Sequence, residues 1–260
     1  MQSSIVSKLF LLLTIISETR KPMTFSQLVT KSGVNKSSLH RILSICMEEQ
    51  LVQFDSQRKA YLLGPKVFSL VKNAYSGYDI QAISLDEMMR LHDLYGENVT
   101  IGIPSGMEVV YLRILEADIA WGSMQRPGMR EPVHCSASGK VLMAFLPDKV
   151  IDAKLRGYDF TRRTDQTITS AKQFKEALTT VRVDGYATND REEYDHLVGI
   201  SAPIFNYMSE PIAVLNIWSV NTRHTLREIT DWADELKLSA SRVTALIGGS
   251  SPDIESLTSG

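Results

Sequence analysis

Residues 24–67 read TFSQLVTKSGVNKSSLHRILSICMEEQLVQFDSQRKAYLLGPKV. Thr24, with Gln27 three residues on, is a capping box for a short helix over 25–31, and Gly33 closes it. After only a few turn residues Asn35 caps a second helix. In that helix Leu39, Ile42, Leu43 and Cys46 recur at helical spacing and should face a core, which puts Ser37, His40, Arg41 and Ser44 on the opposite stripe. Residues 51–63 then predict two short strands around Asp55, Ser56, Gln57, Arg58 and Lys59, with Gly64 and Pro65 ending the unit.

Upstream, a helix is expected over 4–18, where Val6, Leu9, Phe10 and Leu13 form one apolar stripe while Leu11, Leu12 and Ile15 sit on other faces. A small domain covers one stripe. A helix apolar nearly all round needs a second partner, either another copy of the chain or other parts of the same one. Three helices, a tight turn between the last two and a basic hairpin make residues 1–64 a winged helix-turn-helix. Pro65 suits the first position of a further helix, and Val67, Leu70, Val71 and Ala74 give that linker, 65–78, a packing stripe.

From Ile80 the pattern changes. Residues 83–95 are amphipathic and helical, and 98–103, 108–115 and 119–124 predict strands, with Ser105-Gly106 as a hairpin signal. Helices are expected over 136–145, 149–155 and 171–183, strands over 197–205 and 212–220, and one long closing helix over 226–247. Strands and helices mixed with hairpin-length links indicate an α+β domain, 79–248, around a mainly antiparallel sheet. The tail, 249–260, is polar and free of aromatics and reads as flexible.

At 260 residues, 43% hydrophobic and 22% charged, the chain has the composition of a folded protein of one or two domains. Two cysteines, Cys46 and Cys135, are too few for a disulfide framework. The apolar run 9–16 is about half the roughly 20 residues of a membrane span, and Glu18, Thr19 and Arg20 follow it where a signal peptide would carry small cleavage-site residues. The net charge of -2 hides an asymmetry: up to Gly77 there are ten Lys and Arg against four acids, which leaves 18 against 26 in the remainder. A segment of +6 joined to one of -8 suggests that the first meets a polyanion and the second does not.

Three segments carry a likeness beyond periodicity. Residues 24–67 resemble the DNA-binding domain of the isocitrate lyase regulator (IclR) family of bacterial transcription factors. Residues 132–147, PVHCSASGKVLMAFLP, and 185–219, GYATNDREEYDHLVGISAPIFNYMSEPIAVLNIWS, resemble that family's effector-binding domain. The likeness keeps the family's order and spacing over nearly the whole chain. It implies a cytoplasmic homodimer or dimer of dimers, double-stranded operator DNA as partner, and a second domain similar to small-molecule-binding GAF domains. Such a domain would sense a small organic acid or aromatic metabolite and control an operon for its catabolism. No cofactor, metal or membrane partner is implied.

A helix fits the major groove of B-DNA and touches base edges through side chains near its N-terminal end. Ser37, Ser38, His40, Arg41 and Ser44 are placed for that, and the helix start at Asn35 and Lys36 suits a phosphate. Arg41 could be bidentate to a guanine or clamp a phosphate. Arg58 and Lys59 at the wing tip would meet backbone or minor groove. On composition alone the same stripe is a solvated helix face; the turn, the wing and the charge favour DNA.

Carried over position by position, the likeness sets the effector pocket at His134, Ser136 and Ala137, at Asn189 and Asp190, at Gly199 and Ser201, and at Asn216 and Trp218. The chain departs from the family's pattern at His196, where many members have Gly, at Gly199, where many have Cys, and at Asn216 and Trp218, where small or hydroxyl residues are frequent. A Trp in the wall reduces volume or offers a stacking face, and an Asn donates as well as accepts. A polar effector follows, such as a sugar acid or hydroxy acid. Asn216 as a satisfied sheet residue and Trp218 as core are the plainer alternatives.

An enzyme is the main rival. His134 and Cys135 are adjacent, but no third residue orients them, and the chain has no HExxH, CxxC or glycine-rich phosphate loop. The expected function is therefore a DNA-binding regulator, a repressor rather than an enzyme. An activator answering to an aromatic acid is one alternative, and a GAF-like sensor or enzyme with no DNA role is another.

Overall fold

The computed structural model describes residues 5–19, 21–67, 69, 79–117, 126–254 and 257. The chain divides into two compact units, Met1–Tyr78 and Asp79–Gly260.

In the first unit α1 (Ile5–Ser17) packs on α2 (Phe25–Ser32) and α3 (Lys36–Glu48). Thr24 and Gln27 form the reciprocal capping box, with the Thr24 N–H donating to Gln27 Oε1 at 2.8 Å, and Gly33 closes α2 in the left-handed conformation at φ 65°. The core is Leu12, Ile15, Ile16, Leu28, Leu39, Ile42, Leu43, Cys46 and Val52, each large aliphatic contributing about 1.5–3 kcal/mol through its removal from water. The wing is β2 (Val52–Asp55) and β3 (Ala60–Leu63), antiparallel. A two-residue strand, β1 (Met23–Thr24), adds to β3 and makes the sheet three-stranded; so short a piece carries no period in the sequence.

One expectation for α1 is corrected. Its inward face is Leu12, Ile15 and Ile16, flanked by Leu9 and Leu13, whereas Val6 and Phe10, assigned to the packing stripe, are 54% and 63% exposed. Ile5 and Leu11 join them on the outside. With apolar residues at nearly every position, the helical period admits either face, and tertiary packing selects one.

The second unit has α4 (Ile80–Ile83), α5 (Leu85–Tyr95), β4 (Asn98–Ser105), β5 (Glu108–Leu115), β6 (Arg130–Pro132), α6 (Ala137–Ala144), α7 (Asp148–Leu155), α8 (Ala171–Asp184), β7 (Ala187–Asp190), β8 (Leu197–Phe205), β9 (Pro211–Val220), α9 (Leu226–Thr230) and α10 (Ala233–Leu246). Its six described strands form one sheet in the order β6-β5-β4-β9-β8-β7, every pairing antiparallel. The two-residue period of the strands divides side chains between two layers. Val99, Ile101, Val198, Ile200, Ala202, Leu215 and Ile217 face α5, α9 and α10. On the other face α6 lies against β8 and β9 with α8 behind it. All nine residues of β8 are buried, as a strand covered on both sides requires.

The closing helix expected over 226–247 is two. The Trp232 N–H returns to Ile229 O at 3.1 Å, a three-residue turn that breaks the α-helical ladder, and its indole stacks on Tyr95 at 4.4 Å between ring centres. The tail is not wholly free: the Ser250 N–H donates to Asn206 O at 3.3 Å, and Leu257 is buried in the same apolar cluster as Phe145 and Phe205. The strand expected at 119–124, and the linker 65–78 apart from 65–67 and 69, lie outside the described residues.

Candidate functional site

The outer face of α3 holds the first group of candidates. Asn35 Oδ1 accepts from the Ser38 N–H and from Ser37 Oγ, both at 2.9 Å, so the cap fixes the helix start and the rotamer of Ser37 together. Leu39, Ile42, Leu43 and Cys46 turn into the core. Lys36, Ser37, His40, Arg41 and Ser44 are exposed on the other side, with Ser38 half-buried beside them. The His40 ring meets Phe25 edge-on at 6.4 Å, which limits where the imidazole can swing. At the wing tip Asp55 Oδ1 accepts from the Gln57 and Arg58 N–H groups at 2.9 and 3.0 Å. This turn, with Lys59 at φ 47°, projects Arg58 and Lys59 into solvent. Helix face and wing together make a cationic, hydroxyl-bearing surface of a kind suited to phosphates and base edges.

The second group converges between α6 and the sheet. Ser136 caps α6: its Oγ accepts from the Gly139 N–H and donates to Pro132 O, both at 3.1 Å. Gly139 lets the helix start lie against the preceding loop, since a Cβ there would sit 2.2 Å from Val133 Cα. Facing α6, a line of hydrogen bonds crosses the sheet. Tyr111 OH donates to Glu131 Oε2 at 2.5 Å and lies 3.1 Å from Ser138 Oγ; Ser138 Oγ is 3.0 Å from Ser201 Oγ; Ser201 Oγ donates to Asn216 Oδ1 at 2.8 Å; and Asn216 Nδ2 donates to Thr100 Oγ1 at 3.0 Å. Each of these residues is buried. Burial and the neighbouring Glu131 hold the Tyr111 phenol well above its ordinary pKa, so it stays a donor.

Beside this line a cavity of about 10 Å³ is bounded by Tyr111, Glu131, Ser136, Ala137, Asn189, Leu197, Gly199, Asn216 and Trp218, room for a single water. Six expected positions, Ser136, Ala137, Asn189, Gly199, Asn216 and Trp218, line it. Ser201 reaches it only through Asn216. His134 does not: its ring is held between Tyr158 OH at 2.8 Å and Thr161 O at 3.1 Å. Asp190 also lies off the wall, paired with Arg191 at 2.8 Å. Tyr111, Glu131 and Leu197 are the lining residues that sequence reasoning missed. The alternation of β5, which turns Val109 and Tyr111 inward together, is a signal that could have found Tyr111.

Asn216 is at once satisfied within the sheet and part of the wall. Trp218 and Gly199 are directly opposed across β9 and β8, and a Cβ at 199 would approach Trp218 Cβ to 3.0 Å. The large side chain at 218 is thus accommodated by the absence of one at 199. The Trp218 Nε1–H is buried with no acceptor. Two ionic arrangements frame the wall. Lys140 on α6 pairs with Glu192 at 2.5 Å, both nearly inaccessible. Glu193 is hydrogen-bonded to Glu131 and lies 3.6 Å from Arg163; burial first, and then Glu131, push its carboxyl up to about 9.

The neighbours His134 and Cys135 do not make a nucleophile and base. Both His134 nitrogens are engaged elsewhere, and burial pushes the Cys135 thiol far up, away from the reactive thiolate. Among the described residues no group of three or more His, Cys, Asp or Glu could hold a metal, and no helix is long and apolar enough to cross a membrane.

Comparison with known proteins returns one family for both units. The IclR helix-turn-helix domain matches residues 5–56, and the bacterial transcriptional regulator IclR C-terminal domain matches residues 72–245. The chain is 26% identical over 243 residues to the HTH-type transcriptional regulator XynR of Escherichia coli K12, covering 94% of this chain and 96% of that protein. It is 26% identical over 245 residues to KdgR of the same organism, covering 94% and 93%. A crystal structure of an ICLR transcriptional regulator from a Silicibacter species aligns with a TM-score of 0.84 at 25% identity, covering 96% of this chain and 98% of that one. Helix-turn-helix unit, antiparallel α+β unit and matches along nearly all its length agree: the chain belongs to the IclR family of bacterial transcriptional regulators.

Proposed function

We propose that this DNA-binding regulator is a repressor of a catabolic operon, that it reads its operator through the outer face of α3 and the wing, and that a small organic acid such as a sugar acid, bound at the α6 cavity, modulates that contact. The observation that carries the reading is the exposed set Ser37, His40, Arg41 and Ser44, backed by a fully buried opposite face and flanked by Arg58 and Lys59. Lys36 and the α3 N-terminus serve phosphate, whose charge the helix dipole and the +6 of this segment attract.

The exposed apolar face of α1, Ile5, Val6, Phe10 and Leu11, supports self-association. A two-fold dimer would present two α3 helices to a palindromic operator in the cytoplasm. The effector cavity has room for one water only, so ligand entry requires its walls to part, and that movement is what a regulator can couple to DNA affinity.

The test is a gel-shift titration of the full-length protein on fragments of its own chromosome at two salt concentrations. Affinity should fall steeply with salt as neutralised phosphates release counterions. Arg41→Ala should weaken binding by about 1–3 kcal/mol if it reads a base, or flatten the salt dependence by about one unit of slope if it clamps a phosphate. Unchanged affinity at both salts removes Arg41 from the interface, and indifference to every fragment overturns the reading.

A further inference from the structure

The readout proposed for α3 leaves open which base each side chain distinguishes. A hydroxyl is usually no guide, because it turns its proton to suit either a donor or an acceptor. Ser44 is of that kind: it is exposed, and its hydroxyl has no partner among the described residues.

Ser37 is different. Asn35 Oδ1 accepts from the Ser38 N–H at 2.9 Å. A backbone N–H can only donate, so it fixes which end of the Asn35 carboxamide is oxygen. Ser37 Oγ lies 2.9 Å from that same oxygen. A carboxamide oxygen carries no proton, so the hydroxyl must donate, and its single proton is spent on Asn35. What Ser37 turns outward is acceptor alone. Nδ2 of Asn35, at the other end of the same carboxamide, keeps its N–H donors with no acceptor among the described residues.

The pair is fixed in place as well as in polarity. The Val34 N–H donates to Ser32 Oγ at 3.2 Å, Gly33 turns the chain at φ 65°, and the side chains of Val34 and Leu39 are buried on either side in the sequence. Asn35 and Ser37 themselves are exposed, at the helix end from which side chains reach base edges. Groups ordered before binding lose little freedom on docking.

A fixed donor beside a fixed acceptor selects among the bases. In the major groove guanine offers two acceptors, thymine an acceptor and a methyl group, and cytosine a donor; adenine offers an acceptor, N7, next to a donor, its N6 amino group. A lone asparagine meets adenine with its own oxygen and nitrogen. Here that oxygen is occupied, and Ser37 Oγ takes its place as acceptor, its outgoing bond to Asn35 strengthening the incoming one.

We propose that Asn35 and Ser37 form one bidentate adenine reader, Asn35 Nδ2 donating to N7 and Ser37 Oγ accepting from the N6 amino group. The proposal rests on α3 lying in the major groove, as the function proposed above has it.

Selection from a randomised double-stranded DNA library by the full-length protein, wild type and Ser37→Ala in parallel, tests it. The expected result is an A·T pair in the wild-type motif that Ser37→Ala no longer requires, with the rest of the motif kept. In a duplex of the selected sequence, purine in place of that adenine removes the N6 amino group. It should weaken the wild type by about fivefold or more and leave Ser37→Ala unaffected. 7-Deazaadenine, which lacks N7, should weaken both proteins. Asn35→Asp, which keeps a capping oxygen and removes the N–H donors, should be indifferent to 7-deazaadenine. Any effect of an analogue on the duplex itself is common to all the proteins and cancels in the comparison. Should Asn35→Asp not fold, the two analogues on wild type and Ser37→Ala still decide. A motif unchanged by Ser37→Ala, relaxation at a G·C pair instead, or wild-type affinity unmoved by either analogue overturns the adenine reading, while the α3 readout still stands on its Arg41→Ala test. No enriched sequence with the wild type overturns both.

Discussion

Replacing Lys140 by methionine should be among the most damaging single changes available in the second unit. The ammonium and the Glu192 carboxylate are 2.5 Å apart, with side chains only 5% and 10% exposed. The pair pins α6 to the turn between β7 and β8, where Asn189 Oδ1 also accepts from the Glu192 N–H at 2.9 Å. Lys140→Met leaves a buried carboxylate without its partner, a loss of about 3–5 kcal/mol. For a unit of this size each kcal/mol moves the melting point by about 2–4 °C, so a fall of roughly 6–20 °C is expected. Tryptophan fluorescence follows it selectively, because Trp121, Trp218 and Trp232 all belong to Asp79–Gly260. Glu192→Leu should cost a similar amount, yet Lys140→Met/Glu192→Leu should recover to within about 1 kcal/mol of the wild type, since a matched apolar pair strands no charge. A single substitution costing less than about 1 kcal/mol, or a double variant losing the sum of the two, would refute the reasoning.

Further outcomes follow from other contacts. Gly139→Ala would drive a Cβ into the backbone of Val133; since backbone cannot step aside as a side-chain tip can, denaturant titration should show a loss at or above the upper end of about 1–3 kcal/mol. Because the Glu193 carboxyl is raised from 4.5 to about 9, the folded chain binds a proton that the unfolded chain releases over that interval. Its contribution to stability should fall as pH rises through the window, and Glu193→Gln should flatten that part of a melting-point profile. Phe10→Asp, on the outward face of α1, should shift the protein toward monomer in sedimentation equilibrium while leaving the fold intact; an unchanged oligomer would exclude that face as the contact.

The helix-turn-helix was legible because each of its signals is local. A capping box, a left-handed glycine and an Asn cap act over three or four residues, and a four-residue apolar stripe in α3 fits only one face. The same logic gave strands β5 and β8 with their observed limits. The cavity was less legible. Its expected residues came mainly from likeness to a family, and of these His134 and Asp190 are spent on Tyr158, Thr161 and Arg191 instead. Tyr111 and Glu131 were overlooked because each looks ordinary in its own strand. They become a site only when β5, β6 and α6 meet and a phenol is set 2.5 Å from a carboxyl.

What the order of amino acids settles alone is therefore whatever depends on neighbours a few residues away: the caps, the turn, the wing, the strand periods and the charge that marks one segment for DNA. Which side of α1 is buried, where the 226–247 helix breaks, and which polar groups share one dry space depend on contacts between distant segments. Those are set by packing and by pairing buried donors with acceptors, conditions that a local period does not encode.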